Sequence, residues 1–262
     1  MARRCFGALE LQDRVQRLLS PPENIIFSMF SHDFSSHLLD FPCLQPQDSR
    51  CGMLIPRPQY PLYSAALTMT GGRICFYDMH EEKGWRTSRE SLEGSAQAAE
   101  QEGAQLRAIT VINPGNPVGA VLDREDVEML IQFATERQLV ILADEVYQEN
   151  VYREGKAFHS FKKVLRELQQ EDFERYKAWS VDSMAFLSCL SLAEGLGRSF
   201  GAWHRPQDTQ LISFHSTSKG IMGECGQRGG FVEYVGFSPE VLAQFNKMAA
   251  TSLASNTLGQ AT

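Results

Sequence analysis

The sequence predicts an α/β fold, a mostly parallel but mixed sheet flanked by helices, and three observations carry that expectation. Apolar runs of strand length occur at Leu106–Ile112, Leu139–Ala143 and Leu211–Phe214, each ending in polar or turn-forming residues. Between the first two lies a segment with helical spacing, so the unit reads strand, loop, helix, strand, the βαβ pattern of parallel pairing. Polar residues suited to chemistry follow each run directly, where the ligands of such sheets bind, outside the carboxyl ends of the strands.

Taken in order, the N-terminal Leu9, Leu11, Val15, Leu18 and Leu19 have the spacing of an amphipathic helix, and Glu10 and Asp13 soon follow Arg3 and Arg4, which argues against a targeting peptide. The run Leu106–Ile112 ends at Asn113-Pro-Gly-Asn116-Pro-Val-Gly119, where two prolines and two glycines forbid its continuation. Asp123 is suited to cap the next helix, and Val127, Leu130, Ile131 and Ala134 form its apolar stripe to about Gln138. The second strand then delivers Asp144-Glu-Val-Tyr147. The third, Leu211–Phe214, leads into Ser216-Thr-Ser-Lys219, and Ser238-Pro239 opens a last helix.

Composition narrows the class of protein. Of 262 residues, 43% are hydrophobic and 22% charged, the balance of a packed core with a solvated surface. A net charge of −7 argues against nucleic acid or an anionic membrane as partner. No apolar run is long enough for a transmembrane helix. The six cysteines lack metal-ligand spacing and read as reduced thiols, and the six histidines are scattered, so no metal site is expected.

The most informative stretch is Phe214-His-Ser-Thr-Ser-Lys219-Gly, with Arg228 nine residues beyond the lysine. A lysine becomes a nucleophile when its amine is buried or engaged as an imine. Ser216 and Ser218 offer hydroxyl donors to a phosphate, and the planar fork of Arg228 suits two phosphate oxygens. An aldehyde-bearing phosphate ester, pyridoxal 5′-phosphate, is the ligand this set suggests. Asp144 would keep its pyridine nitrogen protonated, Asn116 and Tyr147 would hydrogen-bond its phenolic oxygen, and Tyr60 would stack on its ring. Each residue alone has a structural use, as turn residue, strand-end cap or core aromatic. Their joint order favours the shared ligand.

The segments Ile55–Ser64, Val111–Gly119, Ala143–Tyr152, Phe158–Leu165 and Phe214–Gly230 closely resemble the alanine aminotransferases, class I pyridoxal-phosphate enzymes of fold type I. That resemblance implies the large, cofactor domain of the transferase fold and a homodimer acting on an amino acid and a 2-oxo acid. The reaction implied is amino-group transfer between L-alanine and 2-oxoglutarate through a Lys219 imine. Asp144 would be the pyridinium partner, Asn116 and Tyr147 the phenolic-oxygen partners, Ser216, Ser218 and Arg228 the phosphate holders, and Tyr60 the stacking ring. The expected compartment is the cytoplasm, with the mitochondrion as the alternative.

Residues 1–262 are expected to be this large domain in part, with the small domain largely missing, because the family is longer and its substrate-carboxylate arginine lies beyond Thr262. Two stretches depart from the family pattern. After Pro22–Phe27, where the family has a small-residue turn around the phosphate, residues 28–51 hold no glycine before Gly52. Residues 176–208 lengthen the spacing to the lysine motif and read as an insertion. A catalytically incomplete fragment or pseudoenzyme that keeps only the large-domain fold and a dimer surface is therefore the alternative reading.

Overall fold

The structure is a computed structural model and describes residues 25–28, 50–182, 209–221, 223–227 and 229–249. Within them a single seven-stranded sheet runs in the order β1-β7-β6-β5-β4-β2-β3. The strands are β1 (Ile25–Ser28), β2 (Cys51–Arg57), β3 (Arg73–Asp78), β4 (Gln105–Ile112), β5 (Val140–Asp144), β6 (Leu211–Ser216) and β7 (Gly230–Val235). Parallel pairing joins β3 to β2, β2 to β4, β4 to β5 and β5 to β6, while β7 lies antiparallel to both β6 and β1. The sheet is thus mixed and mostly parallel, as the βαβ pattern requires.

Among the described residues, five α-helices accompany it: α1 (Leu62–Thr70), α2 (Arg89–Gln101), α3 (Arg124–Glu136), α4 (Phe161–Asp182) and α5 (Pro239–Ala249). Strand alternation divides the core into two layers. Leu54, Ile109, Val111, Ile141, Ala143 and Leu211 pack with Leu92, Val127, Ile131 and Phe161 from α2, α3 and α4. Their strand neighbours Met53, Ile55, Leu142, Ile212 and Phe214 pack instead with Tyr63 and Leu67 of α1 and Phe245 of α5. A buried strand residue such as Leu142 is fully covered because helices lie over both faces.

Local chemistry sets the helix ends. Asp123 opens α3 as expected: the Asp126 carboxylate accepts from Asp123 N–H at 3.0 Å, and Asp126 N–H donates to the Asp123 carbonyl at 3.1 Å. At α2 the Ser88 hydroxyl accepts from Ser91 N at 3.3 Å. The helix expected to reach Gln138 ends at Glu136, and Gln138 turns away with a positive φ of 54°. Leu139, expected to begin the second strand, stands just ahead of it.

The segment Pro22–Phe27 contributes β1, whose backbone pairs with β7 from Ile25↔Glu233 to Ser28↔Gly230. Most of the atypical stretch at 28–51 lies outside the described residues, and so does the amphipathic pattern from Leu9 to Leu19. Residues 176–182 continue α4, while the remainder of 176–208 lies outside the described residues until Asp208 is passed and Thr209 leads into β6.

Candidate active site

The carboxyl ends of β4, β5 and β6 lie side by side, since Ile112 pairs with Asp144 and Asp144 with Phe214. Asn113 N–H donates to the Asp144 carbonyl at 2.9 Å, and Glu145 N–H donates to the Phe214 carbonyl at 3.1 Å, so pairing extends past the strands into the loops. Three stretches singled out in the sequence, Asn113–Gly119, Asp144–Tyr147 and Ser216–Lys219, therefore emerge at one edge. Parallel pairing explains why: each strand of the trio runs the same way, and each loop leaves at the same end.

Asp144 is the last residue of β5 and is 6% exposed. Tyr63 donates its hydroxyl to Asp144 Oδ2 at 2.6 Å, and Val146 N–H reaches Oδ1 at 3.3 Å. Burial pushes the Asp144 carboxyl above the usual carboxylate range, against the pull of the Tyr63 hydrogen bond, of Val146 and of the Lys219 charge. Burial, and then the nearby carboxylate, raise the Tyr63 phenol well above its ordinary value, so it stays a donor at neutral pH.

Lys219 sits in the turn after β6 and is exposed. Its Nζ lies 5.4 Å from the centroid of the Tyr147 ring, and Asp144 feels its charge. Lys219 and Asp144 thus lie at the same edge of the sheet. Asn116 Nδ2 meets the Tyr147 hydroxyl at 3.5 Å, at the outer limit of a hydrogen bond. Tyr60 is 46% exposed at the entrance to α1, close enough to Tyr63 to influence its phenol.

The serines of the lysine motif engage their own loop. Ser216 Oγ accepts from Ser218 N–H at 3.1 Å and donates to the Gly229 carbonyl at 3.4 Å. Thr217 closes the same turn from the other side, its N–H and hydroxyl both reaching the Gly229 carbonyl at 3.0 Å. Arg228 lies outside the described residues. His215, considered beside the lysine motif, points to the layer of α4, with Gln148 Nε2 at 3.3 Å from its Nε2 and the Phe231 ring edge-on at 5.3 Å. Burial holds its imidazole below the usual value, in keeping with a structural part.

Two residues of this edge carry no signal in the sequence reading. Tyr63 is the buried partner of Asp144, and its only hint is its place one helical turn after Tyr60. Asn150 accepts from Gly220 N–H at 3.1 Å through its side-chain oxygen and so ties the loop after β5 to the residue next to Lys219. Nothing short of tertiary structure could place that contact, which joins positions 70 residues apart. Among the described residues, no group of histidine, cysteine, aspartate and glutamate could hold a metal ion. No described helix is long and apolar enough to cross a membrane.

A buried carboxylate held by a neutral phenol, with an amine, a phenol and an amide at the same edge, suits an aromatic ligand that carries a protonated ring nitrogen, an acceptor oxygen and an aldehyde. Pyridoxal phosphate has these three features. The side chains of Asp144, Tyr147, Asn116 and Lys219 suit these three features.

Comparison with known proteins agrees with this fit. Residues 4–262 match the family Aminotransferase class I and II. A Dictyostelium discoideum protein named probable alanine aminotransferase, mitochondrial, is 40% identical over 215 residues, which cover 82% of this chain and 34% of that one. A Saccharomyces cerevisiae protein named inactive alanine aminotransferase is 37% identical over 240 residues, 92% of this chain and 41% of its own. Among solved structures, an Escherichia coli aminotransferase superposes with a TM-score of 0.67 at 21% identity, covering 99% of this chain and 52% of that one, a likeness of fold. The chain thus spans between a third and a half of the length of these relatives.

Proposed function

This chain belongs to the aminotransferase class I and II family, and we propose that it carries the cofactor site of a pyridoxal-phosphate enzyme transferring the amino group between L-alanine and 2-oxoglutarate. The observation that carries the reading is the convergence of Asn116, Asp144, Tyr147 and Lys219 at the adjoining ends of β4, β5 and β6, with Asp144 buried under Tyr63. The names of the relatives support alanine as donor.

In this reading Lys219 would hold the cofactor covalently through Nζ and Asp144 would serve its ring nitrogen. Asn116 and Tyr147 would serve the phenolic oxygen, Tyr60 the ring face, and Ser216, Ser218 and Arg228 the phosphate. When bound, the cofactor supplies an electron sink that stabilises negative charge at the substrate Cα. Asp144 would serve that chemistry while ionised, and the Tyr63 hydroxyl and the Lys219 charge oppose the upward push of burial on its carboxyl. Lys219 Nζ would also be the group placed to take the proton from the substrate Cα, general base work typically worth about 10² to 10⁴-fold. A homodimer is part of the reading, and the name of the Dictyostelium relative favours the mitochondrial alternative for its compartment.

A second reading, a pseudoenzyme or catalytically incomplete unit with the same fold, is favoured by one observation: a relative 37% identical over nearly the whole chain is named inactive. The test is a coupled assay of alanine and 2-oxoglutarate alongside a pyridoxal-phosphate titration. Turnover abolished by Lys219→Ala supports the enzyme; cofactor binding without turnover supports the incomplete unit; absence of binding rejects the cofactor reading itself.

A further inference from the structure

Asp144 and Glu145 are consecutive, yet they serve opposite faces of the sheet. Asp144 meets Tyr63 on the side of α1, whereas Glu145, only 5% exposed, turns to the side of α4. There its Oε1 accepts from Phe161 N–H at 2.8 Å, the first residue of α4. Its Oε2 accepts from the Ser213 hydroxyl of β6 at 2.6 Å and more weakly from the Ser160 hydroxyl at 3.4 Å. One carboxylate therefore joins the end of β5 to β6, which leads to Lys219, and to the N-terminus of a long helix, whose dipole favours negative charge.

We propose that Glu145 is a positioning residue for the candidate site: from the far face of the sheet its carboxylate fastens the ends of β5 and β6 to the first turn of α4, and so fixes the spacing between Asp144 and Lys219. The inference rests on the cofactor reading above. The ionised carboxylate accepts from all three groups around it, whereas a protonated acid must use one oxygen as a donor and so reverse or lose one of the serine bonds.

The surroundings make that ionisation sensitive to pH. Glu233 of β7, directly across from Ser213, is the nearest like charge, and Lys162 of α4 forms an ion pair with it. Arg166, also on α4, pulls Glu233 in the same direction as Lys162, and His215 of β6 is held neutral by burial. Burial first, with Glu233 adding, raises the Glu145 carboxyl to about 7, while the Ser213, Phe161 and Ser160 hydrogen bonds pull it down. The fastening is then incomplete on the acid side of neutrality and complete on the alkaline side.

The test is a spectroscopic titration of the full chain and of Glu145→Gln with pyridoxal phosphate across pH. The amide removes the charge but keeps the shape, so the variant's loss of affinity is expected to grow from near none at pH of about 5.5 to about tenfold at pH of about 8.5. Ser213→Ala, which deletes the closest donor, is expected to move the midpoint of the wild-type rise to higher pH, and it guards against misfolding of the first variant. A loss that is the same at every pH, or a midpoint unmoved by Ser213→Ala, overturns the inference while leaving the cofactor reading standing. If wild type binds no pyridoxal phosphate at any pH, both fall together.

Discussion

The Tyr63 hydroxyl donates to Asp144 Oδ2 at 2.6 Å with both side chains buried, although the residues stand 81 positions apart. Tyr63 comes from the second residue of α1 and Asp144 from the last of β5, so the bond joins the helix beneath the sheet to the strand end at the candidate site. Burial raises the Asp144 carboxyl, and only its ionised form could pair with a cationic ring nitrogen. Tyr63 offsets part of that burial. Because its own phenol is raised, it cannot ionise and compete for the proton.

Tyr63→Phe keeps the ring and removes the donor. Hydrogen bonds to charged groups contribute about 1.5 to 3 kcal/mol, so the variant should bind pyridoxal phosphate about tenfold more weakly or worse. Its circular dichroism should be unchanged. A titration with wild-type affinity would show that Asp144 does not depend on this bond.

The loop that presents Lys219 is tied by Asn150, whose side-chain oxygen accepts from Gly220 N–H. Asn150→Ala removes a partly buried hydrogen bond worth about 1 kcal/mol and frees the turn beside the lysine. The expected result is several-fold weaker cofactor binding with little change in the urea midpoint. Equal losses in both would mean that Asn150 serves the fold alone.

Stability should also depend on pH through Glu145. Its carboxyl is raised to about 7 in the folded chain, so the fold binds more protons than the unfolded chain between the ordinary glutamate value and neutrality. Although the ionised carboxylate makes all three hydrogen bonds, burying its charge costs the fold more than they return, so this group's contribution is fully present below its unfolded pKa and is lost as pH rises through about 7. Denaturation of wild type and Glu145→Gln at a series of pH values should show the difference in unfolding free energy shifting by about 3 kcal/mol over that window, at about 1.4 kcal/mol per pH unit. A constant difference would contradict the burial of an ionisable Glu145.

Gly236, just after β7, has a φ of 80°. A Cβ added there would stand 2.3 Å from the Thr209 carbonyl oxygen, part of the backbone entering β6. Gly236→Ala thus combines a left-handed conformation with a backbone collision, and a loss of about 2 to 4 kcal/mol is expected by urea denaturation. A loss under about 1 kcal/mol would mean that this junction rearranges freely.

The sheet's central strands were legible because their apolar runs are buried on both faces and end in residues that cannot extend a strand, as at Asn113–Gly119. Asp123 announced α3 through its capping chemistry. The edge strand β3 was harder to read: Arg73–Asp78 mixes buried Cys75 and Tyr77 with exposed Phe76, a half-covered pattern without flanking motif. In the site, Asn116, Asp144, Tyr147 and Lys219 were legible as strand-end residues of suitable chemistry. Tyr63 and Glu145 were not, since one lies within an apolar helix and the other beside a more conspicuous aspartate. Their parts depend on which face of the sheet each side chain takes, and that alternation becomes informative only once the register of β5 is fixed.

The central claim is that Lys219 is the residue that takes up pyridoxal phosphate, and borohydride trapping tests it most directly. The chain is incubated with the cofactor, reduced, digested and examined by peptide mass spectrometry. The account predicts a single dominant phosphopyridoxyl adduct on the peptide that carries Lys219, lost in Lys219→Ala and diminished in Asp144→Ala. Labelling spread over other lysines in proportion to their exposure, or unchanged by Lys219→Ala, would contradict it.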